Sequence, residues 1–108
     1  MTTFDDRERA FEQMFVHDEE MRFKALARRN KMVGTWAAGQ LGLQSDETEV
    51  YVRQTVDAVL EPDGDQRILK KITSDLSALS SYWTESRLRL VIAEFMLKAM
   101  TEIRMEAG

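Results

Sequence analysis

The sequence predicts an all-α protein: an antiparallel four-helix bundle with a long first helix and a mobile N-terminal arm. Three observations carry that prediction. One proline and five glycines in 108 residues leave little to interrupt helices. Four segments space their apolar residues at i, i+3 and i+4, and none alternates polar and apolar residues over a useful strand length. Composition is the third: 44% hydrophobic and 31% charged residues fit a globular chain with room for one domain and one core.

The first segment is the longest. From Asp5 to Leu41 nothing stops a helix before Gly39 and Gly42, and at about 1.5 Å per residue that run would span roughly 55 Å. The three later helices are less than two thirds as long, so a compact bundle covers only part of it. At about 100° per residue, Phe23, Leu26, Val33, Ala37 and Leu41 share one sector, the expected core stripe. Asn30 falls in that sector too, which predicts a buried amide in need of hydrogen-bond partners. Phe4, Phe11 and Phe15 form a row of their own. Its continuation is Asp18, Arg22 and Arg29, so the aromatic face does not run into the core stripe.

Charge changes in the same region. Residues 5–20 hold seven acids and two arginines, whereas residues 22–31 hold five basic residues and no acid. Asp18–Arg22 and Glu20–Lys24 have the favourable acid-first i, i+4 order, supporting helix across the junction by about 0.2–0.5 kcal/mol per pair. Isolated helices shorter than about 12–15 residues are marginal. The expected organisation is an arm over residues 1–18, helical only on a partner, and a bundle domain over residues 19–108.

The second helix opens at Ser45-Asp46-Glu47, turns Val52, Val56, Val59 and Leu60 inward, and stops at Pro62-Asp63-Gly64. Asp65 is placed to cap the third, whose stripe is Ile68, Ile72, Leu76 and Leu79, widened by Leu69. Thr84 caps the last, where Leu88, Val91, Ile92, Phe95, Ala99 and Ile103 face the core. Lys98 and Arg104 lie toward its end, where the helix dipole favours cations. Met96, Met100 and Met105 read as packing filler, and Trp36 and Trp83 as core or core rim. Short connections make neighbouring helices antiparallel.

Much chemistry is excluded. Without cysteine there are no disulfides, thiol nucleophiles or cysteine zinc sites. The single histidine, His17, sits in the charged stretch VHDEE, and one histidine cannot supply the two Glu-x-x-His elements of a di-iron bundle. Neither glycine-rich phosphate motif is present. Glu61-Pro62-Asp63-Gly64-Asp65 lacks the order of a calcium loop and reads as a turn. A net charge of −4 discourages nucleic-acid binding. No apolar run approaches the roughly 20 residues of a membrane span, and the start, MTTFDDRERAFEQ, is acidic where a signal peptide is basic and then apolar. The expectation is a protein that is not an enzyme and has no metal, no nucleic-acid partner and no direct membrane insertion.

Three phenylalanines on one face of a charged, marginal helix match the anchors of a helix-in-groove ligand. Periodicity alone leaves open whether they meet another protein, fold back onto the bundle or drive dimerisation. Arg22, Lys24, Arg28, Arg29 and Lys31 flank the core stripe and read as solvated flankers with apolar stems. Arg28, Arg29 and Lys31 are the candidates for docking a phosphate or an acidic partner.

The string TTFDDRERAFEQMFVHDEEMRFKALARRNKMVGTWAAGQLGL resembles the N-terminal signature of the alphaproteobacterial ATP synthase zeta subunit, an ATPase inhibitor family. The likeness is strongest over residues 3–43, through FDDRE, AFE, HDEE, RFKA, ARRNK and WAA, and continues more loosely to the end. It implies a four-helix protein whose mobile arm enters an interface of the alpha, beta and gamma subunits in the soluble head of the ATP synthase. The arm folds into helix there and blocks rotation in the hydrolysis direction. By the same resemblance, Phe4, Asp5, Asp6, Arg7, Glu8, Phe11, Glu12 and Phe15 form the inhibitory segment. Val16 stands where the family usually has a small residue, and Met14 lies near a common lysine; both bear on inhibitory strength. The resemblance further implies a cytoplasmic protein, peripheral to the inner membrane through the ATP synthase and monomeric when free. It implies no cofactor beyond weak adenine-nucleotide binding. A nucleotide-responsive bundle and a self-associating adaptor are the alternative functions.

Overall fold

The computed structural model describes residues 19–107, and every regular element among them is helical. Helix α1 covers Glu19–Leu41, α2 Ser45–Asp57, α3 Gly64–Ser77 and α4 Glu85–Ala107, with a 3-10 turn at Ala58–Leu60 between α2 and α3. Together they form a four-helix bundle. The expected arm, residues 1–18, lies outside the described residues.

Local chemistry sets the helix ends. Gly42 stops α1: at φ 70° it adopts the left-handed conformation that a side chain disfavours. Its N–H donates to the Gly39 carbonyl and that of Leu43 to the Ala38 carbonyl, both at 3.1 Å, the Schellman pattern that satisfies carbonyls at a helix end. Glu47 begins α2 by accepting the Gln44 backbone N–H at 3.3 Å. After Asp57 the helix tightens to 3-10, and Pro62 follows. Thr84 caps α4 as expected, its Oγ1 accepting the Arg87 N–H at 3.3 Å. Asp65 does not cap α3; Asp63 precedes the helix, and Asp65 lies inside its first turn.

Two apolar clusters fill the bundle. The larger joins Val33, Ala37 and Ala38 of α1 to Tyr51 of α2, Ile68, Ile72 and Leu76 of α3, and Leu88 of α4. The smaller joins Ala25 of α1 to Met96, Met100 and Ile103 of α4, with Met21 and Leu26 packed against it. Met96 and Met100 are therefore filler as expected, whereas Met105 is 76% exposed in the last turns of α4.

Helix α2 meets α1 by close approach. A side chain at Gly34 would overlap the Thr55 hydroxyl and lie 3.2 Å from the Val52 Cα. The Thr55 hydroxyl lies 2.8 Å from the Val52 carbonyl and 3.1 Å from the Asn30 carbonyl, either of which accepts its proton. This crossing corrects the expected stripe. Tyr51 and Thr55 are the buried residues of α2, Val52, Val56 and Val59 are half-buried, and Leu60 is exposed. At this contact the Thr55 hydroxyl bonds a backbone carbonyl, which a valine of the same size could not do.

Two further apolar expectations fail at element ends. Leu79 lies past the end of α3, and Phe23 lies nearly two turns before Asn30, where α2 has already finished; both are exposed.

Tyr51 couples α2 to α3. Its hydroxyl donates to Asp75 Oδ2 at 2.7 Å. Lys71 Nζ sits 3.6 Å from the same oxygen and 4.6 Å from the centre of the Tyr51 ring. Burial first, then the bond to Asp75 and its charge, push the Tyr51 phenol well above the ordinary tyrosine value.

Two outcomes are expected. Gly34→Ala should destabilise the bundle by about 1–3 kcal/mol through overpacking at the crossing, read as a lower urea midpoint with an unchanged slope. The Tyr51 phenol is harder to ionise when folded than when unfolded, so its contribution is complete below about pH 10 and declines above it. Melting curves between pH 8 and pH 11, a range chosen around the ordinary tyrosine value of about 10, should show the wild-type chain losing stability relative to Tyr51→Phe as pH rises.

Candidate functional site

The sequence points to two sets of residues. Phe4, Asp5, Asp6, Arg7, Glu8, Phe11, Glu12 and Phe15 lie outside the described residues, as does His17. The basic run of α1 lies within them, so its geometry can be read directly.

Arg28 faces α4. Its Nη1 donates to Glu102 Oε1 at 3.3 Å and also to Glu106 Oε2, and its Nη2 donates to Glu106 Oε1 at 2.9 Å. The guanidinium thus forks onto Glu106 and touches Glu102, the geometry that makes arginine–carboxylate pairs directional. The hydrogen bond from Arg28, reinforced by its charge and that of Lys24, holds the Glu106 carboxyl below its usual range. The same bond raises the arginine.

Arg29 turns the other way and goes inside. It is 2% exposed. Its Nε and Nη2 donate to Asn30 Oδ1 at 3.1 and 2.9 Å, and Nη2 also donates to Asp65 Oδ1 at 2.5 Å. This corrects the expectation of a solvated flanker. A buried charge is stable only when paired and hydrogen-bonded, and the first turn of α3 brings the carboxylate that does so. Asn30 is the buried amide that its sector predicts, and its side-chain partner is the guanidinium of the preceding residue, Arg29.

Lys31 is exposed at the rim of a groove of about 680 Å³ between α1 and α4, lined by Arg28, Met32, Trp36, Phe95 and Glu102 among others. Trp36 and Trp83 meet edge to face at 5.2 Å, with Phe95 6.3 Å from Trp36, so both tryptophans sit at the core rim as expected. The three candidate docking cations do not form one site: Arg28 and Lys31 share the groove, where Arg28 is paired to α4, whereas Arg29 is buried against α3.

Sequence reasoning missed the partners. Glu102 and Glu106 lie 74 and 78 residues from Arg28, and Asp65 lies 36 from Arg29. No local spacing signals such pairs. The turn Glu61-Pro62-Asp63-Gly64-Asp65 is a turn, closed by the Gly64 N–H donating to the Glu61 carbonyl at 3.1 Å. Asp63 pairs with Arg67 at 2.8 Å. Among the described residues, no group of three or more potential ligands is placed to hold a metal ion, and no helix is long and apolar enough to cross a membrane.

Asp65→Ala should cost about 1–3 kcal/mol, because it leaves the Arg29 charge buried without its carboxylate. Asp63→Ala, which removes an exposed pair, should cost less than about 1 kcal/mol. Urea unfolding of both variants checks the account, and equal losses would contradict it.

A search of curated proteins and a search of solved structures each return no match. A protein-family comparison does. The family model described as ATPase inhibitor subunit zeta matches residues 1–102, taking in the N-terminal segment, α1, α2, α3 and most of α4. With nearly the whole length matched, the chain belongs to the ATPase inhibitor subunit zeta family.

Proposed function

We propose that the protein inhibits ATP hydrolysis by the rotary F-type ATP synthase, with residues 1–18 entering a catalytic interface of the alpha, beta and gamma subunits as a helix. The observation that carries this reading is the family match, which begins at residue 1 and includes the whole arm. Phe4, Phe11 and Phe15 anchor the helix, each ring contributing roughly 1.5–3 kcal/mol when buried, offset by the cost of ordering the segment. Asp5, Asp6, Arg7, Glu8 and Glu12 set its register by charge complementarity.

The fold supports that mechanism in one respect. Helix α1 is already formed from Glu19 onward, so helix in the arm on the enzyme is continuous with formed helix and needs no nucleus of its own. Residues 19–108 then act as a stop outside the interface. The protein is a steric wedge whose own side chains do no chemistry, and it acts on the cytoplasmic side of the inner membrane, attached through the enzyme it blocks. Weak adenine-nucleotide binding through Arg28, Arg29 and Lys31 finds less support, because carboxylates already hold two of those three cations.

The test is ATP hydrolysis by the cognate soluble head with the full chain, with a chain beginning at Glu20, and with the double variant Phe11→Ala, Phe15→Ala. The full chain should inhibit. Both altered chains should keep their helical spectrum yet need at least about tenfold more protein for the same effect, the loss expected from removing buried rings. A truncated chain as potent as the full one overturns arm insertion, and a full chain without effect overturns the function.

A further inference from the structure

The start of α1 is tied to the end of α4 by a cluster separate from the main core. Ala25 packs with Met96, Met100 and Ile103, and Met21 and Leu26 lie against them. Half of those six side chains are methionines, unbranched and adaptable, so they exclude water without imposing a single geometry. What does impose one is Arg28. Its fork onto Glu106, with Glu102 alongside, fixes both the distance and the rotation of α1 relative to α4. Lys24, one turn earlier on α1, is the other charge acting on Glu106, and it also pairs with Glu20 at 3.8 Å.

We infer that Arg28 is a positioning residue for inhibition: its clamp onto Glu102 and Glu106 keeps the first turns of α1 helical and aimed, so that residues 1–18 extend from a fixed end. The inference rests on arm insertion as proposed above and adds a residue outside the arm on which it depends. Without the clamp, the methionine cluster lets the first turns of α1 fray. The arm must then rebuild those turns before it can propagate, and helix initiation is the costly step. Glu106 is held in its charged form by Arg28. The clamp is accordingly complete at neutral pH and fails only as pH falls through the lowered carboxyl range.

The experiment uses the full chain as wild type, Arg28→Ala, Arg28→Lys and the control Arg67→Ala, which removes an exposed pair within α3. Two quantities are read: the concentration giving half-inhibition of ATP hydrolysis, and amide hydrogen exchange over residues 20–26. Arg28→Ala should raise the half-inhibiting concentration about threefold to tenfold and speed exchange over residues 20–26, as loss of a preformed helical end requires. Arg28→Lys, which keeps the charge but not the fork, should recover part of both. The gap between wild type and Arg28→Ala should narrow in about 1 M salt, where surface charges are screened. Arg67→Ala should leave both readouts unchanged. Wild-type potency or wild-type exchange in Arg28→Ala overturns the inference, as does an equal loss in Arg67→Ala. If the wild-type chain itself fails to inhibit, arm insertion is what has fallen. Exchange then decides the clamp alone: acceleration confined to the start of α1 supports it, and unchanged exchange rejects it.

Discussion

The buried guanidinium of Arg29 is the constraint around which the other helices are arranged. A cation with 2% exposure must be compensated where it lies. Asn30 supplies one acceptor from the same helix, and the other must come from elsewhere. It comes from Asp65, so the first turn of α3 has to reach α1 at this level. That requirement explains the abrupt connection before α3. The chain leaves α2 through a 3-10 turn, passes Pro62, and packs Gly64 so closely on the Ala58 carbonyl that no side chain fits there. The same level of α1 also receives α2, through the Thr55 hydroxyl near the Asn30 carbonyl and the close approach at Gly34. Polar and small residues thus set the mutual position of three helices, and Val33, Ile68, Ile72 and Leu76 fill the space that results.

This division explains what was legible in the sequence. Period and punctuation were enough for four helices, for the glycine that ends α1, and for the Thr84 cap, because each is settled within a few residues of chain. Ile68, Ile72, Leu76, Leu88, Ala99 and Ile103, buried in α3 and α4, also follow from period, whereas Ala93 is buried off the expected stripe and Val91, Ile92 and Phe95 on it are half-buried. Helix α2 was misread because period rewards valines at 52 and 56, while the crossing with α1 uses the Thr55 hydroxyl, which bonds backbone carbonyls there. Arg29 was misread for a related reason. A helical wheel places it at the edge of the stripe, and from the edge a long side chain can turn either way. Only Asp65, far along the chain, decides the direction. The family was legible through the resemblance of its N-terminal string, which the family match bears out; the basic run was illegible, because every deciding partner is distant.

The basic run also shows how charge counted along a chain misleads when read as a surface. Residues 22–31 carry five basic residues and no acid, following a segment with seven acids. Were all five cations directed outward, the acidic segment would have a complementary face on its own bundle. Among the described residues, at least three of the five cations are already engaged. The buried Arg29 is committed to Asp65 of α3, Arg28 to Glu102 and Glu106 of α4, and Lys24 to Glu20, itself the last of the seven acids. Most of the positive charge is neutralised by the protein's own carboxylates. Within the proposed function this has a direct consequence. Within that function the acids at positions 5, 6, 8 and 12 are assigned a complement on the enzyme, while Arg28 and Arg29 of α1 are engaged in holding that helix to α4 and α3.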